Sequence, residues 1–265
     1  MPKEIKTPTE DKFQMIIKAA MNVPGVRIVR SDFLQKELSK KFNSDIVQKA
    51  IQNSPAMAGI SISEIEDIAN GCINFETNKV SSISAVAGIP GGFAMFGTVP
   101  ADTAQYFGHI IRVIQKLIYL YGWGELFNSN DEFDDETMNQ ITLFMGIMFG
   151  VNGAAAAVTK IASVMASKVE KDLAKKALTK GWLYPIVKKI AEIIGAKMSK
   201  EIFAKGVSKI IPIAGGVISG GLTYFSFKPL AFKLKDYLKT LPTADVQASI
   251  EHYEDENIID AEIVD

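Results

Sequence analysis

The chain has 265 residues, enough for one large domain or two small ones, and nearly half of them are apolar, so a sizeable core can be buried. Its 29 Lys and Arg against 30 Asp and Glu leave a net charge of −1, which draws the whole chain to neither nucleic acid nor an anionic membrane. Cys72 is the single cysteine, so no internal disulfide is available. With only His109 and His252 beside it there is no set of ligands for a closed zinc site, and neither a metal nor a cofactor is expected.

Strand signals are scarce and helical periodicity dominates, which predicts an all-α chain, a multi-helix bundle with Gly/Pro-rich hydrophobic hairpins. The first residues, MPKEIKTPTEDKF, are hydrophilic and lack the apolar core of a secretory leader. A first helix is predicted over about 11–22, closed by Val-Pro-Gly. Ser31 reads as the cap of a second helix carrying Leu34 and Leu38, and a third covers 45–52. Ser63 opens a fourth, with Glu64 and Glu66 in the first turn, where the helix dipole favours acids.

From Asp102 to Tyr121, Phe107, Ile110, Ile111, Ile114, Leu117, Ile118 and Tyr121 fall at helical spacing and make one broad apolar face. An acidic loop follows, whose Asp134 or Asp135 caps the next helix. A long helical stretch is predicted over about 135–179. Another covers 186–203, with Val187, Ile190, Ile194, Met198 and Ile202 inward, and a last one covers 230–238. The organisation expected is short N-terminal helices over 1–62 packed on a main helical domain, 63–241, with a flexible acidic tail, 242–265.

Three stretches carry no charge: 80–101, 137–159 and 210–227. About 20 apolar residues span a bilayer, so each reaches or approaches that length. Gly146/Gly150 and Gly216/Gly220 add the small-residue spacing that lets helices approach closely in lipid. Against a span stand Asn139, Gln140, Asn152 and Ser219, whose polar groups are costly in hydrocarbon, and the same glycines suit a tightly packed core in water. If one of the three crosses a membrane, the second is the best candidate. In the first, Pro90, Gly91 and Gly92 break the helix and Pro100 with Asp102 suits the start of the next, so it reads as a helical hairpin.

Charge is unevenly placed. Residues 160–209 hold twelve lysines, no arginine and four acids, a net of +8, while 243–265 hold eight acids and neither lysine nor arginine. Lys168, Lys171, Lys175, Lys188, Lys189, Lys197 and Lys200 are candidate contacts to anionic headgroups, each contributing up to about 1 kcal/mol near the surface. The plainer alternative is a solvated helix face. Lysine without arginine argues against nucleic acid as a partner.

Chemistry is sparse. No Gly-rich loop is followed by the Lys-Ser/Thr of a phosphate-binding loop, no Gly-x-Ser-x-Gly elbow is present, and the acidic loop lacks the spacing of a calcium site. Asp102, Tyr106, His109 and Lys116 fall on nearly one side of their helix. An Asp–His pair there suits acid–base work only if it faces a cleft; otherwise it is a polar seam. No catalytic residue is assigned.

In chain order, GIPGG, VPAD, an Arg-bearing helix ending in LYGW, and IPIAGGVISGGLTYF resemble the EcsC family over about 80–238. The matching positions are Gly88, Pro90, Gly91, Gly92, Pro100, Ala101, Asp102, Arg112, Tyr121, Gly122, Pro212, Gly215, Gly216 and Tyr224; Trp123 and Thr223 depart from the pattern. The resemblance implies a bacterial, largely helical protein, cytoplasmic or peripheral at the inner face of the cell membrane, and brings no catalytic mechanism with it. The function expected is non-enzymatic association with membrane or lipid, with a protein partner for the acidic tail. A pore-forming effector is one alternative. Another is a lipid-binding protein or enzyme with a cavity lined by Phe93, Met95, Phe96, Phe144, Met145, Met148 and Phe149, although such residues are more often core.

Overall fold

The computed structural model describes residues 8–87, 95–96, 99–127, 134–166, 183–197 and 215–244. The described chain is an all-α, multi-helix bundle: α1 (Pro8–Met21), α2 (Arg30–Leu38), α3 (Ser44–Gln52), α4 (Ile62–Ala87), α5 (Ala101–Leu120), α6 (Asp135–Met148), α7 (Ala154–Ala166), α8 (Tyr184–Lys197) and α9 (Gly215–Leu238). The one extended pairing among these residues is a two-residue antiparallel match of Met95–Phe96 with Val99–Pro100, just before α5.

Local signals set three of the helix starts. Asn43 accepts from Ile46 N–H, and Asp134 accepts from Thr137 N–H at 2.8 Å. α4 opens on a reciprocal capping box: Glu64 N–H donates to Ser61 Oγ while Ser61 N–H donates to the Glu64 carboxylate. The cap is therefore Ser61 rather than Ser63. Ser31 is no cap either, since α2 begins at Arg30 and its cap position, Val29, makes no side-chain bond.

Two predicted segments differ in extent. The stretch from 135 is interrupted after Met148, because Gly150 and Gly153 adopt φ of 70° and 94°, which stops α6 and turns the chain into α7. The second uncharged stretch is thus two short helices and not one span. The last helix begins at Gly215, well before the predicted 230, so Gly216 and Gly220 lie inside it despite their low helix propensity. Among the described residues, no helix is long and apolar enough to cross a membrane.

The largest departure concerns α5. Its sequence predicts an amphipathic helix, but it is buried on nearly every side, with α1, α2, α4, α6 and α9 packed around it. Its polar residues therefore have to be paired internally. Gln115 donates to the carbonyls of Val26 and Ile111 and accepts from Ile28 N–H, fastening the α1–α2 connection. Tyr119 donates to Glu125 at 2.7 Å, and Glu125 accepts in turn from Arg30 N–H. The Arg30 guanidinium donates to the carbonyls of Ala50, Ile51, Asn53 and Trp123, tying the end of α3 to the end of α5. Phe144, Met145 and Met148 are buried core and Phe149 packs at its edge.

Gly122 ends α5 at φ 88°, and a Cβ built there would collide with the Thr243 carbonyl oxygen. Gly122→Ala is expected to destabilise the protein by about 2 kcal/mol or more, combining left-handed strain with overpacking. Gly124→Ala, where an added Cβ meets nothing within 4 Å among the described residues, should stay within about 0.5 kcal/mol of the parent. Urea denaturation of the two variants checks the difference.

Candidate functional site

The buried stripe of α4 runs through Ile65, Ala69, Ile73 and Val80, and Glu76 interrupts it with a carboxylate of 0% exposure. A carboxylate here has to be compensated, and α5 supplies the compensation from three positions on one face. His109 Nδ1 donates to Glu76 Oε2 at 2.7 Å, Lys116 Nζ donates to Oε1 at 2.6 Å, and Arg112 Nε donates to both oxygens at 3.1 and 3.2 Å. An ionised carboxylate only accepts, so the proton of this contact sits on His109 Nδ1. The Lys116 ammonium also lies 4.9 Å from the centre of the Phe75 ring, which is 56% exposed.

Burial alone would raise the Glu76 carboxyl. The His109 hydrogen bond, the charge and hydrogen bond of Lys116 and the charge of Arg112 outweigh it and bring the group from the ordinary 4.5 down to about 2. Burial pushes the neighbouring Cys72 thiol up to about 12, which leaves it unreactive.

A second ionic cluster joins α4 to α9. Lys235, itself buried, donates to Glu66 at 3.1 Å and to Asn70 at 3.2 Å, and Lys239 donates to the same Glu66 oxygen at 3.1 Å. Tyr106 reaches α9 from α5, its hydroxyl 3.4 Å from Ser226 Oγ and its ring edge-on to Phe227.

These contacts fix how α4, α5 and α9 run. The end of α9 meets the start of α4 through Glu66, so the two are antiparallel. Glu76 stands as far from the end of α4 at Ala87 as Arg112 does from the start of α5 at Ala101. The described ends Ala87, Ala101 and Gly215 therefore converge at one end of a three-helix layer. Ala87 and Ala101 belong to the first uncharged stretch and Gly215 to the third.

Of the predicted seam, His109 and Lys116 come together on Glu76, while Tyr106 turns to α9 instead. Asp102 lies in the first turn of α5, with its side chain outside the described residues. Arg112, singled out only by the family resemblance, joins the same carboxylate. Glu76 itself was missed. The signal for it was an acid on a buried stripe, but its partner histidine lies 33 positions away on another helix.

Among the other motif positions, Tyr121 is buried with no hydrogen-bond partner for its hydroxyl among the described residues, and burial together with the charges of Glu66 and Asp236 raises that group. Gly215 and Gly216 open α9, Tyr224 lies within it, and Pro100 immediately precedes α5. Gly88, Pro90, Gly91, Gly92 and Pro212 lie outside the described residues, as do Lys168, Lys171, Lys175, Lys200 and Phe93. Lys188 and Lys189 lie on α8 away from its buried Val187, Ile190 and Ile194, half-buried and exposed respectively, and Lys197 ends that helix. No group of His, Cys, Asp or Glu suited to a metal occurs among the described residues. No family model, curated protein or solved structure matches the chain.

Glu76→Gln removes the one acid that faces two fixed cations, and is expected to cost about 3 kcal/mol or more at neutral pH. Because the folded carboxyl lies below its unfolded value, its contribution is complete above about pH 4.5 and is lost as pH falls towards 2. Urea midpoints of parent and variant should converge across that window. A gap that stays constant with pH would show that Glu76 is not the titrating group.

Proposed function

We propose that the protein is a non-enzymatic, helical EcsC-type protein that associates peripherally with membrane or lipid from the cytoplasmic side. The carrying observation is the convergence of the α4 end, the α5 start and the α9 start. It brings together Ala87, Ala101 and Gly215, which belong to two uncharged, Gly- and Pro-bearing stretches of the sequence, 80–101 and 210–227. The ionic contacts of α4 lie away from that end, at Glu66 and Glu76. Uncharged sequence rich in Ile and Phe suits an interface with acyl chains, and the lysine-rich segment 160–209 adds attraction to anionic headgroups.

The test is sedimentation of the full chain with phosphatidylglycerol vesicles. Phe93→Asp combined with Phe96→Asp places two charges in the first uncharged stretch and is expected to weaken binding at least tenfold. Met57→Asp alters a 55% exposed residue beyond the opposite end of α4 and should leave binding unchanged. Equal binding by all three proteins, or none by the parent, would sink the reading.

A further inference from the structure

Glu76 is outnumbered by its partners. One carboxylate faces the guanidinium of Arg112, the ammonium of Lys116 and an imidazole, and among the described residues neither Arg112 nor Lys116 has a second acid within ion-pair distance. A buried excess of charge is costly unless a counter-charge can reach it. Access exists at one member only: the Arg112 side chain is 19% exposed, against 5% for His109 and 10% for Lys116.

Arg112 also leaves its most specific donors unused. It meets Glu76 through Nε alone, and among the described residues its two terminal nitrogens have no hydrogen-bond partner. That leaves the paired N–H edge whose spacing matches two oxygens of a phosphate. Gly25 borders this edge at φ 75°, and a Cβ built there would stand 3.7 Å from Arg112 Nη1, so a larger side chain would lie across the guanidinium. On the α4 side stand the exposed Phe75 ring and, one turn further, Lys79, which is exposed and has no acid partner among the described residues.

We propose that the edge of Arg112, between the Gly25 turn and the Phe75–Lys79 face of α4, binds a phosphate group. The Arg112 terminal nitrogens take two of its oxygens, Lys79 supplies a second charge, and Lys116 contributes its field from behind Phe75. The site is independent of the lipid-docking end, because Glu76 lies about 16 Å along α4 from Ala87 at 1.5 Å per residue. The phosphate belongs either to a free phosphate or monoester or to a lipid headgroup.

Calorimetric titration of the full chain with inorganic phosphate, glycerol phosphate and phosphatidylglycerol vesicles separates the sources. Arg112→Lys keeps a positive charge beside Glu76 but has no paired edge, and is expected to weaken phosphate binding at least tenfold. Lys79→Gln, at an exposed side chain, should weaken it several-fold with the fold intact by circular dichroism. Saturable binding of the free phosphates that both variants lose assigns a soluble ligand. Binding seen only with vesicles, and lost in both variants, assigns the headgroup. Absence of saturable binding by the parent in every arm overturns the proposal, as does unchanged affinity in Arg112→Lys or, should that variant not fold, in Lys79→Gln. Vesicle binding that survives both variants but fails with the Phe93 and Phe96 pair would overturn this site and leave the docking end standing.

Discussion

Glu76 meets α5 where no water can reach its carboxylate, and much of the architecture follows from that burial. α5 is enclosed on nearly every side, so each polar group it carries must find a partner inside the protein. Three bases on one face of α5 answer one acid on α4, and Gln115 on another face answers the backbone of the α1–α2 connection. Sliding α4 by a turn along α5 would strand a carboxylate and two cations together in the core. The apolar contacts around them are far more forgiving of such a shift. Register is therefore held by charge, and cohesion by the surrounding Ile, Leu and Phe.

The same division of labour recurs on the other side of α4. Its acids meet the lysines of α9 as well as the bases of α5, so α4 is the anionic element between two cationic ones. Both neighbours run antiparallel to it, which makes α5 and α9 parallel and sends their starts to the same end. Ala101 and Gly215, more than a hundred residues apart in the sequence, are thereby brought to the same end.

Much of this was legible in the sequence, and the exceptions share a cause. Helix starts marked by a local signal, such as Asn43 or Asp134, are readable because the cap and its amide lie three residues apart. The break after Met148 was hidden because Gly150 and Gly153 sit in an uncharged run in which a glycine serves equally well as a packing residue. The face of α5 bearing Asp102, Tyr106, His109 and Lys116 reads as a polar seam, because their spacing along one helix shows a shared side but not what packs against it. Only the acid on α4 makes His109 and Lys116 internal, and nothing local to α5 announces it. The pairing of Asp102 with His109 was sought within one helix, whereas the structure pairs His109 across two. What sequence periodicity misses is the partner supplied by another element.

A buried ionic cluster is weak evidence for stability, since well-packed apolar residues of similar volume often do as well or better. Its value here is better argued from what an apolar substitute would lack. Isoleucine or leucine at Glu76 would pack against α5 in more than one register, and the ends of α4 and α5 would lose their fixed alignment. The uncharged stretches carry no charge of their own with which to restore it. The positive excess around Glu76 adds a further difference: a neutral cluster would close the layer upon itself, whereas this one leaves the outer edge of Arg112 unpaired among the described residues. One carboxylate thus both aligns the layer and, by being outnumbered, leaves its flank receptive to an anion.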